Sequence, residues 1–190
     1  LERRANFDGM TGLLSRDSFF NQLEQMRAGE KANVLMIVDV DHFKTINDNF
    51  GHPIGDQALI LLGKVFRKTL RQQDLVGRIG GEEFGIFLPE TSAAEGQIIG
   101  EIIRHEIENT IFQPCHNMRH VITVSIGVTD VAAHHQRAAM LGNADTALFT
   151  AKRCGRNRVV LFEPGMRAKP RPTQEKAVNF KPAMMHSNFR

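Results

Sequence analysis

Three carboxylates stand at positions where acids are costly to keep. Residues 34–38 form a continuous apolar run dominated by branched side chains and ending at Asp39, the pattern of a buried strand with an acid at its tip. Glu82 and Glu83 follow Gly80 and Gly81 between two more apolar segments, the pattern of a β-hairpin whose turn needs glycine backbone freedom. An ionised carboxylate at a buried strand end is expensive to desolvate unless a cation or donor compensates it, and a neighbouring hairpin turn could bring a second acid beside it. Such a cluster suits a hard divalent ion. Magnesium favours a few carboxylates with backbone carbonyls, waters and substrate phosphates over nitrogen or sulfur ligands. The same acids could instead cap a turn and a strand end, and residue type leaves both readings open. Adjacent strand residues point to opposite faces, so Glu82 and Glu83 are expected to differ in role, with one of them facing Asp39.

The elements that must position these acids follow from periodicity. Ser15 is expected to cap a helix in which Phe19, Phe20, Leu23 and Met26 recur at helical spacing. After the strand ending at Asp39, helical character runs to Asn49, and Gly51-His52-Pro53 breaks it. A helix is expected over 56–71, then strands over 75–79 and 84–88 around the Gly80-Gly81 turn. A helix over 93–112, a strand over 121–128, a helix over 137–152 and a strand over 158–162 complete the series. This order predicts an α+β fold with a mostly antiparallel central sheet flanked by helices.

The chain has 190 residues, 42% of them hydrophobic and 24% charged, enough for one core. Its pI of about 9.1 raises the question of nucleic acid. From Glu163 onward six basic residues stand against two acids, a surplus of +4, whereas the whole chain carries +3 and residues 1–162 therefore net −1. The basicity belongs to the tail, and no nucleic-acid partner is expected of the domain. The proline-containing segment 163–190 reads as a disordered tail, and residues 1–7 as the end of a linker helix from an upstream module. Cys115 and Cys154 lack disulfide or metal spacing and fit a reducing cytoplasm. His134-His135 reads as an exposed loop with no third ligand at metal spacing.

Several motifs now converge on one family. Gly80-Gly81-Glu82-Glu83-Phe84 resembles the signature of GGDEF domains in its GGEEF form. The segment from Asp39 through Asp41, Phe43 and Lys44 to Asn47-Asp48 resembles the family's D-x-D-x-F-K-x-I-N-D run, and Gly51-His52 and Gly55-Asp56 follow it. Asp8 to Leu13 resembles the opening D-x-L-T-G-L, and Ala144-Asp145 through Lys152 to Gly155-Arg156-Asn157 the closing segment. The likeness covers residues 8–162.

The resemblance implies a diguanylate cyclase that condenses two GTP into cyclic di-GMP across a homodimer, with a fold akin to the palm of nucleotidyl cyclases and polymerases. It implies two Mg²⁺ ions per GTP site, with Mn²⁺ as a substitute, held by Asp39, the Val40 carbonyl and Glu82. Glu83 is either a further ligand or the catalytic base. Asn47 and Asp56 are implied at the guanine edge, where a carboxylate accepts from N1 and the amino group as adenine would not allow. Asp56 would also serve as a helix N-cap. Lys44, Lys152 and Arg156 match phosphate contacts, with backbone N–H groups of His42, Phe43 and Lys44 cradling the terminal phosphates. Lys152 would equally suit a helix C-terminus. Arg71-Gln72-Gln73-Asp74 matches the R-x-x-D site at which product inhibits, with Arg78 expected to assist either this site or the catalytic one; a surface ion pair is the plainer reading. Met10, Ser15, Ile79 and Phe149 depart from the family pattern; every implied metal and guanine position is kept. An upstream sensor or membrane module is expected in the full-length protein. A non-catalytic cyclic di-GMP receptor is the rival, and the intact signature argues against it.

Overall fold

The structure, a computed structural model, describes residues 6–29 and 31–168. Twelve elements follow in order: α1 (Arg16–Met26), β1 (Asn33–Val40), α2 (Phe43–Phe50), α3 (His52–Thr69), β2 (Leu75–Arg78), β3 (Glu83–Leu88), α4 (Ala93–Asn109), β4 (Phe112–Cys115), β5 (Met118–His120), β6 (Val124–Val131), α5 (Arg137–Arg153) and β7 (Arg158–Leu161). Five strands form the central sheet in the order β2-β3-β1-β6-β7, while β4 and β5 make a separate hairpin. The β2–β3, β3–β1 and β1–β6 pairs are antiparallel and β6–β7 is parallel, as the α+β reading expects.

All eight residues of β1 are buried, because it lies at the centre of the sheet with helices on both faces. This explains its unbroken apolar run. On one face Val34, Met36 and Val38 join Phe84, Ile126 and the inward residues of α3 and α4, among them Leu59, Phe66, Ile103 and Ile107. On the other, Leu35 and Ile37 meet Phe19, Phe20 and Leu23 of α1 and Met140, Ala144 and Leu148 of α5. The helix α5 approaches so closely that a Cβ at Gly127 of β6 would lie 2.1 Å from the Ala144 carbonyl oxygen and 2.4 Å from the Leu148 nitrogen. The sheet therefore needs a glycine there.

Four boundaries differ from the sequence reading. The helix α3 starts at His52, with Gly51 as its N-cap and proline in its first turn, so the apparent break is a helix start. Asp56 thus lies inside the helix and is not an N-cap. The helix expected to reach residue 112 ends at Asn109, and the chain then enters the β4–β5 hairpin, which turns through Asn117 at φ 60°. The strand expected over 121–128 is β6, shifted to Val124–Val131 by pairing with all of β1. Residues 6 and 7 form a bend and an isolated bridge from Phe7 to Leu14, where a helix end was expected. Residues 1–5 of that segment, and residues 169–190 of the expected disordered tail, lie outside the described residues. Among the described residues no helix is long and apolar enough to cross a membrane.

Candidate active site

The acids meet at one end of the sheet. Asp39 near the end of β1 is paired in register with Glu83 at the start of β3, so their side chains leave the same face of the sheet. The Val40 N–H donates to the Glu82 carbonyl at 3.2 Å, which fixes the signature turn to the strand end. Ile79 and Gly80 both donate their N–H groups to the Glu83 carbonyl, at 2.9 and 3.2 Å, closing the turn. A Cβ at Gly80 would fall 2.6 Å from Glu83 Oε2, so that glycine makes room for the carboxylate. The helix α5 brings Lys152 to the same point, its Nζ 2.8 Å from Asp39 Oδ1, with the Asp39 side chain only 8% exposed.

Charge and burial set the protonation of this group. Burial pushes the Asp39 carboxyl above the ordinary carboxylate range; hydrogen bonding and attraction from Lys152 oppose this, and Glu83 and Asp41 add repulsion. Burial and then the charge on Asp39 raise Glu82 likewise, with Lys152 opposing. Buried acids whose charged forms are disfavoured are stabilised by a cation beside them, as the Lys152 ammonium stands beside Asp39. Among the described residues no group of three or more acidic, imidazole or thiol side chains is placed to hold a metal ion by itself. The acidic side chains gathered at this end of the sheet, Asp39, Glu82 and Glu83, offer oxygen alone. This fits a hard ion that keeps places for water and phosphate and fits zinc or a soft metal poorly.

A second corner lies in α2 and α3. Asn47 is half-buried on α2, and its Oδ1 is buried without a protein hydrogen-bond partner. A Cβ on Gly55 would stand 1.8 Å from that oxygen, so Gly55 is a cradle for the Asn47 amide. Asp56, the next residue, is also half-buried. An orphaned buried amide oxygen costs free energy unless a ligand donor meets it. Between this corner and the acids, His42 takes the left-handed conformation at φ 55° and starts α2. The N–H groups of Phe43 and Lys44 stand in the first helical turn, where no intrahelical acceptor exists. Lys44 is exposed.

Arg71 and Asp74 do pair: Arg71 Nη2 lies 2.7 Å from Asp74 Oδ1, and the Arg71 N–H donates to Oδ2 at 2.8 Å. Arg71 also donates to Thr91 Oγ1 at 3.0 Å and the Pro89 carbonyl at 3.2 Å. Arg78 is not brought to them. It stands at the far end of β2, where Nη2 donates to the Gly81 carbonyl at 2.7 Å and Nη1 meets Asp8 Oδ1 at 3.3 Å. Asp8 in turn accepts from the N–H and hydroxyl of Thr11, at 2.8 and 2.7 Å, so the opening motif braces the signature turn. Arg156 is exposed in the α5–β7 turn at φ 63°.

Sequence reasoning gave no role to Asp41, Thr123, Ser125 or Asn157. Asp41 is buried, accepting from Thr123 Oγ1 at 2.8 Å, Ser125 Oγ at 2.7 Å and the Asn157 N–H at 3.0 Å. A second acid two residues beyond Asp39 was the available signal; its partners are 82 and more residues away in the chain and leave no local pattern.

The family described as "Diguanylate cyclase, GGDEF domain" matches residues 5–158. Among curated proteins the chain is 37% identical over 165 residues to the probable diguanylate cyclase DgcT of Escherichia coli K12, covering 83% of this chain and 36% of that protein. It is 38% identical over 165 residues to the diguanylate cyclase DgcP of Pseudomonas aeruginosa, covering 83% of this chain and 24% of that protein. The chain thus spans well under half the length of these relatives. Among solved structures, the GGDEF domain of DgcB from Caulobacter crescentus in complex with c-di-GMP superposes with a TM-score of 0.79 at 32% identity, over 85% of this chain and 98% of that one. With the signature turn, the mixed five-stranded sheet flanked by helices and a match over most of its length, the chain belongs to the GGDEF domain family.

Proposed function

We propose that this chain is a diguanylate cyclase domain that joins two GTP into cyclic di-GMP, each of two protomers presenting one GTP. The observation that carries the reading is the convergence of Asp39, Glu82 and Glu83 with Lys152 at one sheet end, on the same chain as the Asn47–Gly55 cradle. Asn47 and Asp56 hold the guanine edge, Asp56 accepting from N1–H and the exocyclic amino group. Lys44, Lys152, Arg156 and the first-turn N–H groups of α2 receive the phosphates. Asp39, Glu82 and the Val40 carbonyl would hold Mg²⁺, or Mn²⁺ in its place, with Glu83 as a further ligand or as the base at the hydroxyl. When bound, two such ions polarise the attacked phosphate and stabilise the departing pyrophosphate.

In each of two equivalent steps the ribose 3′ oxygen of one GTP bonds to the α-phosphorus of the other. The bond from that phosphorus to the bridging oxygen breaks, pyrophosphate leaves, and the hydroxyl proton passes to a base. Head-to-tail GTPs across a two-fold axis bring both hydroxyls into line. Arg71 and Asp74 form a site for product feedback; product there must compete with Asp74, Thr91 and Pro89 for the Arg71 guanidinium. An upstream sensor sets how protomers meet, and the domain works in the cytoplasm without nucleic acid.

The test is incubation of concentrated protein with GTP and Mg²⁺ or Mn²⁺, with chromatography of the products, beside Glu82→Ala. Cyclic di-GMP from the parent chain and none from the variant is the expected result. No product at any concentration, together with tight binding of added cyclic di-GMP that depends on Arg71, would replace the cyclase with a receptor.

A further inference from the structure

Asp41 faces no proposed nucleotide or ion contact, yet it is 5% exposed and its carboxylate is filled by the three donors named above. A buried acid so satisfied is a fixed point in the fold. The residue it grips through the backbone, Asn157, is held just as firmly through its side chain. Its Oδ1 accepts from Arg104 Nη1 at 2.9 Å and its Nδ2 donates to Glu108 Oε1 at 2.8 Å, both on α4. Arg104 and Glu108 are themselves paired at 2.8 Å.

These bonds surround a strained place in the backbone. Arg156 and Asn157 are consecutive left-handed residues, at φ 63° and 45°, a conformation that asparagine tolerates and arginine does not favour. The Arg156 N–H donates to the Ala151 carbonyl at 3.0 Å, so this turn also closes the end of α5 beside Lys152. A strained turn persists where its surroundings over-determine it, and here those surroundings are Asp41 on one side and α4 on the other.

We propose that Asp41 and Asn157 are positioning residues for the phosphate end of the nucleotide. They tie the turn that carries Arg156 to the strand end that carries Asp39 and to α4, so that the cations and the acids keep a fixed separation. Donors already held in place lose less freedom when phosphate arrives. The inference rests on the cyclase reading, and specifically on Arg156 as a phosphate contact.

The test is calorimetric binding of a non-hydrolysable GTP analogue with Mg²⁺, and of guanosine, to the whole chain. The variants are Asn157→Ala, Arg156→Ala and the double variant. Asn157→Ala should weaken the analogue about fivefold to tenfold and leave guanosine unchanged. On the Arg156→Ala background it should add under about twofold, because both changes act through one group. Glu108→Ala, which removes one of the two side-chain bonds from the half-exposed face of α4, should give the same pattern at smaller size, and it serves if Asn157→Ala fails to fold. Equal losses for analogue and guanosine, full additivity, or a lowered melting temperature with unchanged analogue binding would each overturn the inference. If Arg156→Ala alone leaves analogue binding unchanged, the phosphate assignment of Arg156 falls with it, whereas the cyclase reading is judged separately by product formation from the parent chain.

Discussion

At Gly55 a missing side chain shapes the corner proposed to hold guanine. A Cβ there would meet the end of the Asn47 side chain at 1.8 Å and the Phe43 ring at 3.2 Å. The Asn47 amide can swing away, whereas the backbone is not touched. Gly55→Ala should therefore leave the fold nearly as stable, since the gain in helix propensity of about 1 kcal/mol offsets the crowding. The KM for GTP should rise about tenfold as the Asn47 oxygen leaves its place. Steady-state kinetics beside thermal melting separates the two, and a large fall in melting temperature with unchanged KM would refute the cradle. The acids give a second expectation at this scale. Asp39 and Glu82 are raised above their unfolded values, chiefly by burial, so the folded chain binds more protons than the unfolded chain between the two pKa values. Their contribution to stability is present below the unfolded pKa and is lost as pH rises through the raised ones. A bound cation needs the ionised acids and reverses this trend. The rise in melting temperature on adding Mn²⁺ should be clearly larger at about pH 8 than at about pH 5 and vanish in Asp39→Asn. An equal rise at both pH values would place the ion elsewhere.

Among the elements, α5 is the one that both covers the sheet and delivers a cation to the acids. Its packing depends on Gly127, where a Cβ would strike backbone atoms of Ala144 and Leu148 that cannot turn aside. Gly127→Ala should cost about 3 kcal/mol or more, read from urea unfolding, and lower cyclase activity further than the unfolded fraction explains, because Lys152 moves with the helix. A loss below about 1 kcal/mol would mean that α5 can lift freely from β6. How much of this was legible beforehand depended on the range of the cause. The strand ending at Asp39 and the hairpin at Gly80 were readable because continuous apolar runs and paired glycines are local patterns. The start of α3 was missed because Gly51 and Pro53 signal a break and a helix N-terminus alike. The β4–β5 hairpin was missed because its strands are too short for alternation to show. The register of β6 was off because pairing with β1, 84 and more residues away, decides where it ends. In the site, acids and glycines announced themselves by type, whereas the Asp41–Asn157 ties and the separation of Arg78 from Arg71 are facts of three dimensions.

For the molecule as a whole the proposed reaction turns on stoichiometry. Each chain carries one Asn47–Gly55–Asp56 corner and one Asp39–Glu82–Glu83 group, while cyclic di-GMP contains two guanosines related by a two-fold axis. On the proposed cyclase reading one chain holds half of the reacting pair, and the reaction waits on the meeting of two loaded protomers. The net charge of −1 over residues 1–162 is small enough that repulsion between copies is weak at ordinary ionic strength. Encounter is therefore limited by concentration and by whatever holds the full-length chains together. Initial rates of cyclic di-GMP formation, followed over about a hundredfold dilution at saturating GTP and Mg²⁺, should give a rate per chain that rises in proportion to protein concentration. The rate should flatten only where sedimentation detects a stable dimer. Joining two copies through a flexible linker should raise the rate at high dilution by the ratio of effective to actual concentration, about a hundredfold or more for a short linker against micromolar chain. A rate per chain independent of dilution, in a sample that sediments as a monomer throughout, would mean that one protomer completes the reaction alone, and the two-protomer site would have to be abandoned.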